Sequence, residues 1–385
     1  MKKFADGAFL AIVMLTLLAC FVRTVFFPAN ISAGENRYAN KIEEFTLSSY
    51  MDGSFQEGVE AALADQVLLS SAARRSYNLV SAKVRELLLS ELYASNIKRY
   101  IKLSDGINLF GGYLVYDIRD LKDIEPDLDE KIENINGFAA AHPEVPLYVY
   151  YIEKDTDMNF ETGEKLGAYE YVSQRLNLPV ENMARLEMKN FEQYSRMFYR
   201  TDHHWNHIGS YICCGKVMEL LGADAPEKPI EEITIGPKFS GSKAIESGNK
   251  DVYSEEFTAY RFDYAPMSII VNGKPDDYGS QEAFFAGRRD DVSYGAFYGG
   301  DAGEVVIDTG MTDKENLLII GDSHDNAIIK LMAASFNRIH AVDLRNYEIQ
   351  TGKKFDTYQY FVDNDIDKVL LMGSAGFFLS EDIRL

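Results

Sequence analysis

The 385-residue chain reads as an α/β protein built on a parallel sheet. The C-terminal part alternates between strand and helix patterns: apolar runs at 317–320, 339–342 and 369–372 are separated by helical patterns at 326–335 and 353–361. Parallel strands need crossovers, and helices laid on the sheet faces are the usual ones. An unbroken apolar run, Leu147-Tyr148-Val149-Tyr150-Tyr151-Ile152, suits a strand buried on both faces. With 46% apolar residues the chain can bury a core of that size.

Lys2 and Lys3 precede an apolar run over 7–27 that only Arg23 interrupts. About 20 apolar residues span a bilayer, and the basic flank puts the N-terminus in the cytoplasm and the remainder outside. No Ala-x-Ala cleavage pattern follows, so the expectation is an uncleaved signal anchor over 7–27 behind a cytoplasmic tail over 1–6. Leu17-Leu18-Ala19-Cys20 is a second reading, as a lipoprotein cleavage site, but the apolar run continues past Cys20. Residues 28–105 read as a linker and helical segment, with Leu68, Ala72, Tyr77, Val80, Val84 and Leu88 near helical spacing over 55–100. The main domain is expected over 106–385.

Within that domain Gly111-Gly112-Tyr113-Leu114-Val115-Tyr116 reads as a strand or hairpin. Ile132, Ile135, Phe138 and Ala139 share a face of a helix over 124–141, which Pro143 and Pro146 end. A further helix pattern covers 162–180, and another covers 208–221 with Gly222 at the usual left-handed closing position. Residues 230–310 show no helical period and suit an irregular insertion with short strands.

The net charge of −21 argues against a nucleic-acid partner, whose phosphates reward Lys and Arg. It also disfavours adhesion to an anionic membrane surface. Three cysteines, with Cys213 and Cys214 adjacent, imply neither a disulfide framework nor a Cys-x-x-Cys metal site.

Two segments hold chemistry. Thr201-Asp202-His203-His204-Trp205-Asn206-His207 contains half of the six histidines and the single tryptophan. On an extended loop Asp202 and His204 point the same way, so the carboxylate can hold the imidazole in one tautomer; a polar loop with a satisfied histidine is the plain alternative. Downstream, Gly321-Asp322-Ser323-His324 follows an apolar strand and opens a helix, at the sheet edge where such folds bind ligands. Ser323 there is a nucleophile or simply a helix cap. His203 and His207, four apart, with Asp202 would suit a metal if the stretch were helical, but His-Glu-x-x-His is absent and no metal or cofactor is expected. Trp205 would wall the loop. Arg345 could bind a substrate carbonyl or pair with Asp343, and Gly299-Gly300-Asp301 is a backbone N–H source or a plain turn.

Thr201-Asp202-His203-His204-Trp205 resembles the signature of DHHW proteins, relatives of the alginate O-acetylation proteins in the SGNH hydrolase-like superfamily. Other segments are similar to that family's pattern: Glu35-Asn36-Arg37, Ala64-Asp65-Gln66 with Arg74 or Arg75, Phe239-Ser240-Gly241-Ser242, Tyr294 to Asp301, Ser323 within Gly-Asp-Ser, and Asp343-Leu344-Arg345 with Tyr347. The proline usual after the Asp-Gln element is missing, and His324 stands where the family often has an aromatic or small residue. The resemblance implies a three-layer α/β/α SGNH-like domain and a Ser323–His204–Asp202 triad. Gly300, Asp301, Arg345 and Trp205 are then oxyanion or substrate-binding candidates.

The expected function is a membrane-anchored, extracytoplasmic O-acyltransferase acting on a cell-surface polysaccharide. An acyl donor, the polysaccharide acceptor and a membrane-bound O-acyltransferase are its expected partners. Two other readings stay open: an acetylesterase using the same triad, and a non-catalytic carbohydrate-binding or assembly protein with a relict site.

Overall fold

The computed structural model describes residues 98–279, 281–287, 289 and 292–380, and, before them, 13–15, 18–19, 21–22, 26, 31–32, 37–42, 45–66, 73 and 76–84. The chain divides into two compact units, Met1–Ile97 with Ser242–Tyr253, and Lys98–Gly241 with Ser254–Leu385.

In the first unit, Ile31–Ser32 and Arg37–Tyr38 pair antiparallel. Helices Leu47–Asp52 and Ser54–Gln66 meet at Gly53, whose φ of +90° a side chain would resist. Thr46 caps the first of them by accepting the Ser49 N–H at 3.0 Å. The helix expected over 55–100 is helical at 54–66 and 76–84 and has ended by 98. Tyr77, Val80 and Val84, taken as one face, are exposed, and Leu68, Ala72 and Leu88 lie outside the described residues. Most of the apolar run over 7–27, with Lys2, Lys3, Cys20 and Arg23, lies outside them too, as do Glu35, Asn36, Arg74 and Arg75. Among the described residues no helix is long and apolar enough to cross a membrane.

The second unit is mixed α/β around a large, mostly parallel sheet. Its strands in chain order are β1 (Ile101–Ser104), β2 (Ile107–Phe110), β3 (Tyr113–Tyr116), β4 (Leu147–Ile152), β5 (Met183–Leu186), β6 (Glu231–Phe239), β7 (Glu255–Arg261), β8 (Ser268–Val271), β9 (Lys274–Pro275), β10 (Glu304–Asp308), β11 (Asn316–Gly321), β12 (Arg338–Val342) and β13 (Lys368–Ser374). Its principal helices are α1 (Leu121–Ala141), α2 (Ala168–Ser173), α3 (Phe191–Met197), α4 (His207–Leu220), α5 (Tyr294–Tyr298), α6 (Ile329–Met332), α7 (Leu344–Thr351), α8 (Thr357–Asn364) and α9 (Ala375–Phe378).

Eight strands form the main sheet in the order β9-β8-β10-β12-β11-β13-β4-β5. β12, β11, β13, β4 and β5 run parallel, while β10, β8 and β9 extend one side antiparallel. Alternation along the strands divides the core between two faces. Leu317, Ile319, Leu370, Met372, Tyr150 and Ile152 join one buried cluster with α3 and α4. Leu318, Ile320, Val369, Leu371, Val149 and Tyr151 join the other with α1 and α8. This two-sided burial is why these strands are continuously apolar in sequence.

Several local expectations change. The insertion over 230–310 is more regular than its composition suggested: nine-residue β6 pairs with seven-residue β7, and β8 to β10 join the main sheet. The single helix expected over 326–335 is broken into a 3-10 turn at Asp325–Ala327, four-residue α6 and a second 3-10 turn at Ala333–Ser335. Ala327, Ile328, Ile329, Leu331, Met332 and Ala333 are all buried there, so packing rather than an amphipathic period sets the backbone. Over 162–180 only α2 is α-helical, with a 3-10 turn beginning at Val180. α7, which the sequence did not announce, is capped by Asp343 and closed by Gly352 at φ +71°. α8 begins at 357, later than expected, because Asp356 caps it by accepting the Gln359 N–H at 2.9 Å. Cys213 and Cys214 are free, buried thiols on α4, and burial pushes the Cys213 thiol up to about 12.

Candidate active site

The parallel strands end along one edge of the sheet, and the candidate residues follow them: Lys154 after β4, Asp322 and Ser323 after β11, Asp343 and Arg345 after β12, Ser374 and Phe377 at the end of β13. A cavity of about 230 Å³ there is lined by Lys154, His203, Asp322, Ser323, His324 and Arg345, with 374–380 closing it.

The loop that brings His204 to this edge is locally determined. It folds back as a short hairpin, with Phe198 and Trp205 bridged and the Asn206 N–H donating to the Met197 carbonyl at 2.8 Å. Asn206 caps α4, its side chain accepting the Ile208 and Gly209 N–H groups at 3.0 Å each. Glu255 on β7 accepts the Arg200 N–H at 2.9 Å and the Thr201 N–H and hydroxyl at 2.7 Å each. Burial nonetheless raises the Glu255 carboxyl above its ordinary range. The Gly241 N–H donates to Thr201 Oγ1 at 3.0 Å, and only a glycine fits, because a Cβ there would stand 2.3 Å from Asp202 Cβ.

The loop then meets the serine. Asp202 Oδ1 accepts the His204 N–H at 3.0 Å and lies 2.6 Å from His204 Nδ1. His204 Nε2 lies 2.7 Å from Ser323 Oγ. Asp202 and His204 are buried, while Ser323 is partly exposed to the cavity. Tyr294 holds both partners: its ring stacks on His204 at 3.7 Å between centroids and 6° between planes, and its hydroxyl donates to the Ser323 carbonyl at 3.1 Å.

A second Asp-x-His pair brackets the serine. Asp322 Oδ1 accepts the His324 N–H at 3.1 Å and lies 2.7 Å from its Nδ1. Burial holds the His324 ring below the usual imidazole range even with that carboxylate beside it. Burial alone would raise the Asp322 carboxyl, but the contact with His324 outweighs it and holds the group well below the carboxylate range.

The other candidates are placed differently. Trp205 is fully buried with its ring edge-on to His324, so it packs behind the site. Arg345 lines the cavity but is held by Asp343 through bonds of 2.8 and 2.7 Å. Gly300 and Asp301 are exposed, and their carbonyls accept from Tyr278 and Gln350 at 2.9 and 2.8 Å. His207 opens α4, facing Glu232 at 3.4 Å and the Tyr260 ring. Residues 201–206 are not helical, so the i, i+4 alignment of His203 with His207 does not arise. Among the described residues, Asp202, His203 and His204 do bring ligand atoms within 4.8 Å of one another, a spacing that could hold a metal ion. Both His204 nitrogens are already occupied by Asp202 and Ser323. Lys154, Gly241, Glu255 and Tyr294 had no role assigned from sequence; only the Phe-Ser-Gly-Ser and Tyr294 to Asp301 segments pointed near two of them.

Residues 151–342 match the model of the DHHW protein family, a span that covers the hairpin loop and the serine turn. The segment belongs to the DHHW family. Similar solved structures include a DHHW family protein from Eubacterium siraeum DSM 15702, at 19% identity over 74% of this chain and 95% of that one, with a TM-score of 0.52. Bacillus cereus PatB1 matches at 19% identity over 74% of this chain and 99% of its own, with a TM-score of 0.53. A weaker match is the O-acetyltransferase domain of Pseudomonas putida AlgJ, at 11% identity, 74% and 94% coverage and a TM-score of 0.40. At these identities the likeness is one of fold. No curated protein matches significantly.

Proposed function

We propose that this DHHW protein is a membrane-anchored, extracytoplasmic O-acyltransferase that acetylates a cell-surface polysaccharide through an acyl-Ser323. Its scaffold is SGNH hydrolase-like, in three α/β/α layers, and its anchor is the apolar run over 7–27. The observation that carries the reading is the continuous chain Asp202–His204–Ser323, at 2.6 and 2.7 Å, between residues 119 apart. A core-satisfied histidine has no need of a serine from a distant strand end. An acyl-transfer site needs just this contact.

His204 takes the Ser323 proton as Oγ attacks the acyl carbon, returns it to the leaving group, and then deprotonates the acceptor hydroxyl. Asp202 orients the ring and stabilises its charged form. The acyl donor and the polysaccharide are the substrates, and a membrane-bound O-acyltransferase is the partner that would supply the acyl group. Because Ser323 is partly exposed, water reaches the acyl-enzyme, and esterase activity is the second reading.

Ser323→Ala tests the reading with p-nitrophenyl acetate as donor and a short oligosaccharide as acceptor. Loss of both ester turnover and the acetylated product is expected, together with loss of labelling by a sulfonyl fluoride. Turnover equal to that of the unaltered protein would eliminate Ser323 as the nucleophile.

A further inference from the structure

We propose that Lys154 is a further catalytic residue of the Ser323 site, supplying the positive charge that stabilises the oxyanion formed on the acyl carbonyl. The proposal rests on the reading of Ser323 as nucleophile.

Lys154 follows β4 and is only 7% exposed, yet it lines the same cavity as Ser323. Among the described residues its ammonium makes no hydrogen bond and no ion pair of 4 Å or less; the Tyr116 ring centroid lies 5.8 Å away, and the Lys154 charge acts at longer range on Asp322, His203 and His324. The carboxylates around it are committed elsewhere. Asp322 is bonded twice to His324, and Asp343 holds Arg345 and accepts from Asn346 Nδ2 at 2.9 Å. A buried ammonium with neither a hydrogen bond nor a close ion pair is costly, and such a group in a cleft beside a nucleophile is placed to meet negative charge.

Other sources of that charge are weak. The turn after Ser323 is a 3-10 segment leading into a four-residue helix, too short for a strong macrodipole. Arg345 is fixed on Asp343 through one edge of its guanidinium, Nε and Nη2. Lys154 has three donors on a flexible stem, and its own backbone is fixed, its N–H donating to Asp157 Oδ2 at 3.1 Å.

As Ser323 Oγ bonds to the acyl carbon, the carbonyl π pair moves onto oxygen and the serine proton passes to His204 Nε2. The oxyanion then faces the Lys154 ammonium, which stays protonated. Collapse restores the carbonyl, breaks the bond to the leaving oxygen, and returns the proton from His204 to that oxygen.

The test uses the full chain with p-nitrophenyl acetate, comparing Lys154→Met, Lys154→Gln and Lys154→Arg with Ser323→Ala, with thermal unfolding as the check on folding. Loss of one oxyanion donor is expected to lower kcat about 100-fold with little change in KM. Lys154→Arg should restore part of that loss in kcat, again with little change in KM. A folded Met or Gln variant within about 3-fold of the unaltered protein, alongside an inactive Ser323→Ala, would overturn the Lys154 assignment and leave the acyl-serine reading standing. If neither neutral variant folds, the role is structural and the assignment falls. Full activity in Ser323→Ala would instead remove the reading on which it rests.

Discussion

Gly241→Ala is a perturbation whose size can be worked from the geometry. The new Cβ would stand 2.3 Å from Asp202 Cβ and 2.5 Å from its Oδ2, well inside the 3.0 Å that real Cβ contacts respect. Restoring ordinary contact means separating the two segments by more than about 1 Å, a strain typical of overpacked sites. Neither side yields easily, because Thr201 ties both: it accepts the Gly241 N–H at 3.0 Å and is bonded to half-buried Glu255 at 2.7 Å. Asp202 would therefore shift, and the 2.6 Å contact to His204 Nδ1 would open. A misplacement of about 1 Å at a reacting centre costs on the order of 10²-fold. Complete loss of the orienting carboxylate would cost on the order of 10⁴-fold by the serine protease precedent. The expectation is a fall in kcat/KM between those limits, with about 1–3 kcal/mol of lost stability. Steady-state hydrolysis of p-nitrophenyl acetate and chemical denaturation measure the two. If Gly241→Ala folds and keeps kcat/KM within about twofold, the 240–242 segment has moved instead, and the argument that Gly241 sets the Asp202 position is wrong.

Asn206→Ala removes both the α4 cap and the side-chain donor bond to Arg196, so a loss of about 1 kcal/mol in unfolding free energy is expected, with a lower rate of Ser323 acylation; an unchanged denaturation midpoint would contradict it. His340 is buried, with Nδ1 2.9 Å from Tyr360 Oη, and burial pulls its ring down to about 4. Its folded value lies below its unfolded one, so the unfolded chain binds the extra proton first. Stability contributed by the neutral ring is full above about 6.5 and is lost as pH falls towards 4, by at most about 3 kcal/mol. His340→Gln should flatten the stability profile across that window, and an unaltered slope would assign it to other groups. Asp157 is fully buried, accepts the Tyr151 hydroxyl at 2.7 Å, and is pushed up to about 6 by burial. Its protonated form favours the fold, so its contribution is full below about 4 and is lost as pH rises through 6. Asp157→Asn should therefore gain stability relative to the unaltered chain at pH 8 but not at pH 4, as denaturation at the two pH values would show.

Much of the scaffold was legible because its signals are local. The runs that became β4, β11, β12 and β13 are apolar on both sides, and residues of that kind have one stable home, a covered parallel sheet. Gly222 after α4 marks the helix end through chemistry confined to a turn. The fragmentation of 325–335 was not legible, because Asp325 to Ile329 and Leu331 to Ala333 are all buried and periodicity has nothing to report. The length of β6 and β7, beyond the short strands expected there, was not legible because a bulged antiparallel pair breaks simple alternation.

At the site, the sequence by itself determined which groups exist and which neighbours they can bond. An Asp two residues before a His in a tight turn bonds both its N–H and its ring, and the pattern occurs twice, at Asp202–His204 and Asp322–His324. Only the tertiary structure decided that His204, rather than His203 or His207, meets Ser323. It also decided that Gly241 and Glu255 fix the loop, that Tyr294 clamps the imidazole, and that Lys154 shares the cavity. These contacts join strand ends and loops far apart in the chain. Their distances follow from the register of the sheet and the packing on its faces, and no local spacing encodes either.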